Sequence, residues 1–277
     1  MFVVSLAVLQ VINYSLEQSG DSVIMEEVVL SGGPVKEVAQ DGQGSSSQDV
    51  KTLKSSSVRV GLGLSEETDG QSASMVQSNV MSFFAGLSKE DKRFVKDSIT
   101  YAESRADAKT NRKRYPADWF EHYTGTLWSI GWVIEGQPVE KIDKQYRGSL
   151  MDAWVDVMKS NISADKLKAS LQAVSMIESH QDTSEAFNGS IRKDGDMRVL
   201  PISITDDKRV ELWVSDMRLI VSSWSTDYLF WKIKHTLSQL DIRAQRFTIG
   251  RRDMDASRAE LRQAVEQLDA IEFNFPV

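Results

Sequence analysis

The stretch from Pro116 to Gly136 constrains the fold of this chain more than any other. It reads Pro-Ala-Asp-Trp-Phe-Glu-His-Tyr-Thr-Gly-Thr-Leu-Trp-Ser-Ile-Gly-Trp-Val-Ile-Glu-Gly. Phe120, Tyr123, Leu127, Ile130 and Ile134 recur at alternating steps of three and four, which puts them on one face of a helix. Thr124, Trp128 and Trp132 run beside them at steps of four, so the apolar surface is wider than the stripe of a surface helix and calls for cover on more than one side. Pro116 suits a first helical turn, and Gly136 with Pro138 beyond it supplies a stop. The expectation is an inner rod around which the remainder packs.

Helical signals surround it. Ser88 and Asp91 form a capping pattern ahead of a helix over 89–108, with Phe94, Val95, Ile99, Ala102 and Ala106 inward and charges outward. A basic connection holding Lys109, Arg112, Lys113 and Arg114 leads to Pro116. Further helices are expected over 148–159 and, capped by Ser163, over 164–179. Asn188-Gly189 and Asp194-Gly195 mark 181–196 as a loop.

The period then changes from 3.6 toward 2. Strands are expected over 197–205, over 209–222 with a kink at Ser215-Asp216, over 228–235 and over 240–249. A closing helix follows from Asp253 or Asp255, and 271–277 docks back or adds a strand. The fold class is α+β: a helical layer packed on a C-terminal antiparallel β-meander of about four strands, closed by a C-terminal helix. Alternation in 228–249 predicts one sheet face on the helices and the other polar and basic.

The N-terminal part differs in composition. Residues 1–30 hold an apolar segment, Met1 to Ile12, read either as a docking strand or as a secretion signal, although no Lys or Arg occurs before Lys36. Residues 31–75 are rich in Gly, Ser, Gln, Asp and Glu and are expected to form a flexible linker. A single domain should occupy 76–277, helical over 76–180 and sheet plus helix over 196–277. Only 10 of 40 acidic and 4 of 33 basic residues precede Val80, so the remainder is almost neutral. That balance argues against nucleic acid as a partner. The 41% hydrophobic and 26% charged content is that of an ordinary soluble globular chain, which leaves a secreted location open. The absence of cysteine excludes disulfides, thiolate metal sites and a cysteine nucleophile.

Over Ser88 to Leu268, with Gly131-Trp132-Val133-Ile134 at the end of the tryptophan-bearing helix, the chain resembles a group of uncharacterised bacterial and fungal α+β proteins. They share a Gly-Trp-Val-Ile signature, a β-meander and a following helix. The resemblance implies the helix-then-sheet order and no particular activity.

Chemistry-bearing patterns are sparse. The histidines are His122, His180 and His235, in separate elements; no His-Glu-x-x-His, metal-spaced pair or Gly-x-Ser-x-Gly occurs, so neither a metal nor a cofactor is expected. His122, with Asp118 or Glu121 orienting it, and His235 are the candidates for a titrating catalytic group. Lys232, Lys234, Arg243, Arg246, Arg112, Lys113 and Arg114 are the candidates for ligand or anionic-lipid contact, with tryptophans beside them. The leading expectation is a non-enzymatic interaction protein, in its sharper form a secreted toxin-like or host-directed protein acting at a membrane, with a protein partner or self-association through its leader. The alternative is a small-molecule enzyme or ligand-binding protein with a pocket between helices and sheet.

Overall fold

The computed structural model describes residues 70–221, 238–268 and 270–276. Its centre is a sheet, not a helix. The strands are β1 (Ser72–Val76), β2 (Asn79–Phe83), β3 (Val133–Asp143), β4 (Met197–Ile204), β5 (Val210–Val221), β6 (Ser238–Ile249) and β7 (Glu272–Pro276). They lie in the order β3-β6-β5-β4-β2-β1-β7, with β2 and β4 parallel and every other neighbouring pair antiparallel. The expected meander is present as β4, β5 and β6. The sheet, however, is seven-stranded and mixed among the described residues, because a hairpin from before the first helix, a strand after the second and the C-terminal strand join it. The strand expected over 228–235 lies outside the described residues, as do 1–30 and most of 31–75.

Among the described residues six helices flank this sheet: α1 (Lys89–Lys109), α2 (Pro116–Ile130), α3 (Leu150–Met158), α4 (Ala164–Ser179), α5 (Gln181–Asp194) and α6 (Arg251–Val265). Local capping sets several starts. Ser88 and Asp91 complete a reciprocal capping box on α1, and the hydroxyls of Ser149 and Ser163 accept from the backbone N–H groups of Asp152 and Lys166. Asn188-Gly189 does not turn the chain. Buried Phe187 and Ile191, one helical turn apart, hold α5 together, and only Gly195, with φ +82°, ends it.

Two apolar clusters sandwich the sheet. Phe94, Tyr123, Leu127 and Leu261 of α1, α2 and α6 join Leu200, Leu212 and Phe247. Trp154, Val174 and Phe187 of α3, α4 and α5 join Met197, Val199, Trp213 and Ile242. Val199 and Leu200, adjacent on β4, therefore enter opposite clusters, as strand alternation requires. Each such side chain contributes roughly 1.5–3 kcal/mol on burial. Helices on both faces replace the expected arrangement in which one face is polar and basic.

Three further expectations change. The first strand takes Ser72–Val76, all buried, so the domain begins inside the stretch assigned to the linker. Helix α1 buries much of its charge. Lys92 Nζ donates to Ser72 Oγ at 2.8 Å, and Lys96 Nζ meets Glu272 at 2.8 Å, because α1 is covered by the strands on one side and by α6 on another. Helix α2 stops at Ile130, not near Gly136. Gly131 takes φ +114°, where an added Cβ would meet Asp253 Cβ at 3.4 Å, and the chain enters β3. The Gly-Trp-Val-Ile signature is thus a helix stop followed by a strand. Of the rod's wide surface, Trp119, Tyr123 and Leu127 are buried within α2, while Trp128 is 66% exposed. The rod is an outer helix with one covered face.

Candidate functional site

At the N-terminal end of α2 a group of charges is sealed beneath the α1–α2 connection. Arg112, from that connection, reaches Glu103 at 3.2 Å, Asp107 at 2.8 Å, Asp194 at 3.2 Å and Asp196 at 3.4 Å. Arg198, on β4, pairs with Glu103, with Asp216 at 3.4 Å and with Asp196 at 3.5 Å. Its remaining donors go to Asn79 Oδ1 at 2.7 Å and Ser78 Oγ at 3.1 Å. Both guanidinium carbons lie over the Trp119 ring, at 4.4 Å and 4.9 Å, and the indole N–H donates to Asp107 at 2.8 Å. Arg218 then clamps the connection from β5 by donating to the backbone oxygens of Arg112 at 2.8 Å and Lys113 at 2.5 Å.

The electrostatics follow from burial and an excess of carboxylates. Burial raises the Asp216 carboxyl to about 7, with Asp196 adding to the effect and Arg198, Arg112 and Arg243 opposing it. Burial likewise raises Asp194. For both arginines burial acts to lower the pKa, but Glu103 and Asp196 overcome it and hold the guanidinium groups charged. Burial also raises the Tyr123 phenol, whose oxygen has no hydrogen-bond partner. With its guanidinium groups already matched to carboxylates on α1, at the end of α5, just before β4 and on β5, this cluster fixes the helical layer to the sheet. A buried ion pair need not add net stability, but loss of one partner is costly.

The C-terminal end of α2 is open. Gly131 N–H bonds the carbonyls of Leu127 and Trp128 and turns the chain so that Trp132 is buried 6.3 Å from the Phe94 ring. Trp128, Val133 and Ile134 stay 66%, 45% and 47% exposed. Strand β3 is an edge of the sheet, and a bulge between Glu135 and Val139, containing Gly136 at φ +73° and Pro138, interrupts its pairing. Such a bulge discourages another strand from adding there. The charges around it are matched: Glu135 meets Arg209 at 2.7 Å and Arg246 at 3.8 Å.

The expected site residues do not converge. Arg112 is inside the buried cluster. Arg243 neighbours it through Asp216, its register partner, and pairs with Glu140 at 3.0 Å. Arg246 is taken up by Glu211 at 2.6 Å. The methylenes of Lys113 cover Gly195, and Arg114 lies over Tyr115 at 5.9 Å. His122 and Glu121 are exposed together along a groove between α1 and α2. Lys232, Lys234 and His235 lie outside the described residues. No group of metal-ligating side chains occurs among the described residues, and no described helix is long and apolar enough to cross a membrane. Sequence reasoning missed Glu103, Arg198 and Asp216. Two signals were there to find: an arginine between Met197 and Val199 in an apolar strand, and the loss of apolar pattern at Ser215-Asp216, which is a buried charge and not a kink.

No family model matches the chain, and no curated protein matches it. The solved structures similar to this chain include two from toxin and virulence proteins. One is a "DELTA-ENDOTOXIN", with TM-score 0.40 and 10% identity over 79% of this chain and 91% of that one. The other is titled "Structure of the Evf virulence factor", with TM-score 0.32 and 8% identity over 69% and 82%. At these scores neither likeness carries an argument about fold or activity.

Proposed function

We propose that the chain is a non-enzymatic interaction protein of the toxin-like or host-directed kind, acting at a membrane surface through the corner between α2 and β3. The exposure of Trp128 at 66%, with Val133 and Ile134 close by in sequence on the sheet's edge strand, is the observation that carries this reading. An indole sits well at a water–lipid boundary because its ring is apolar and its N–H polar. The buried charged cluster supports a non-enzymatic role, since its arginines are occupied by internal carboxylates. Because Glu135 and Glu140 already match Arg209, Arg246 and Arg243, apolar contact dominates attachment at this corner. Lys232 and Lys234 are the remaining basic candidates.

Sedimentation with vesicles tests the proposal. The full chain is expected to bind zwitterionic vesicles and somewhat more strongly anionic ones, and the double variant Trp128→Ser, Ile134→Ser to lose most binding to both. Each half-exposed side chain contributes about 1 kcal/mol on insertion, so the double variant should weaken binding by about tenfold or more. Failure of the wild-type chain to sediment with either vesicle, or full binding by the variant, overturns the reading.

A further inference from the structure

The groove between α1, α2 and α6 has two compartments that share Tyr101 and Ser129. One, of about 290 Å³, runs along Ile130, Leu261 and Ala264. The other, of about 440 Å³, is bordered by Arg105, Glu121, His122 and Gly125. The first thus offers an apolar strip beside Ser257 and Glu260, and the second is rich in polar groups.

Two features set the polar end apart. Among the charged residues of α1, Arg105 and Lys109 alone have neither an ion pair nor a side-chain hydrogen bond. Arg105 is exposed, and it lines the groove with His122 and Tyr101. Gly125 stands in the interior of α2, where glycine costs roughly 0.5–1 kcal/mol relative to alanine. Its backbone does not require glycine, and an added Cβ would meet nothing within 4 Å. His122, Gly125 and Ser129 share one helix face, so the missing side chain leaves the groove floor open between them.

We infer that this groove binds a single-chain amphiphile with a monoanionic head. The Arg105 guanidinium and an N–H of His122 take the head, and the chain lies along Ile130, Leu261 and Ala264. Glu121 borders the head end and Glu260 the chain end, so a polyanionic head is disfavoured against a monoanion held at Arg105. This site is separate from the α2–β3 corner, and its ligand is a free amphiphile, not a bilayer.

Isothermal titration of the full chain tests the inference, with dodecanoate, a twelve-carbon monoacyl phosphatidylglycerol and dodecyltrimethylammonium, each below its micelle concentration. At least one anionic probe is expected to bind about tenfold or more tightly than the cation, the size of one charge-assisted hydrogen bond. Preference for dodecanoate assigns a fatty acid, and preference for the phosphatidylglycerol assigns a lysolipid. Arg105→Gln, an exposed position, should remove that preference. Gly125→Leu should abolish binding while leaving Tm unchanged or raised. Equal affinity for anionic and cationic chains, no binding of either anion, or undiminished binding by Gly125→Leu overturns the proposal. Vesicle attachment by the same two variants should be unchanged, so failure here is distinguishable from failure of the membrane reading.

Discussion

The two ends of α2 carry the same residue type to opposite ends of the exposure scale. Trp119, in the first turn, is 1% exposed and lies against two guanidinium groups; Trp128, in the last, is 66% exposed and touches no described ring or cation. One helix therefore divides its work. Its N-terminal end is fixed to the sheet through buried charge, and its C-terminal end is presented to solvent beside an edge strand. Helical periodicity puts the two tryptophans on opposite faces, since nine residues turn the helix by about 180°, but it does not say which face the sheet covers or what stands opposite either ring. Stability should respond to changes at the first end and contact with partners to changes at the second.

The largest test of that division is Arg198→Met. It removes the guanidinium partner of Asp216 and one of the two that hold Glu103, and should cost about 3–5 kcal/mol in urea unfolding. A loss under about 1 kcal/mol would mean that the cluster does not anchor the layer.

A smaller effect is expected from pH. Asp216 has its folded pKa raised to about 7 from an ordinary value of 3.8, so between those values the folded chain holds a proton that the unfolded chain has released. Its contribution is complete below the unfolded value and is lost as pH rises through about 7, with a slope approaching about 1.4 kcal/mol per pH unit. The groups facing it are Asp196, Arg198, Arg112 and Arg243. Denaturation across this range should show stability falling with rising pH, and Asp216→Asn should flatten the curve. Glu272 acts in the opposite sense. Burial works against its charge, but Lys96 and Arg93 prevail, and its lowered pKa costs stability only as pH falls below the ordinary glutamate range.

The smallest effect sharpens the contrast. Trp128→Ala should change unfolding free energy by less than about 0.5 kcal/mol, because the side chain leaves little packing behind. A cost of several kcal/mol would place Trp128 in the scaffold and remove the corner as a contact surface.

Much of the secondary structure was legible because its signals are local. Ser88 with Asp91, and Ser163 ahead of an amphipathic run, mark helix starts from within four residues. Turn chemistry at Asp206-Asp207-Lys208 separates two strands where expected, Lys208 taking φ +64°. The α+β class follows from the change of period. The site was far less legible. His122 and Glu121 do share a groove, but it lies between helices and not against the sheet, and the basic candidates are dispersed among the buried cluster, β6 and residues outside the description.

The sequence by itself determined where five of the six described helices and strands β4, β5 and β6 occur, and where several begin, since adjacent residues and the period of the backbone settle those matters; α5, read as a loop, and β1, β2 and β3 came only with the structure. Only the tertiary structure decided that α2 buries one face, that β2 runs parallel to β4 in the middle of the sheet, and that Arg198 meets Glu103 from 95 residues away and Arg112 meets Asp196 from 84. Those pairings depend on layers closing over one another. A charge in an apolar strand gains its partners only when another element arrives to supply them.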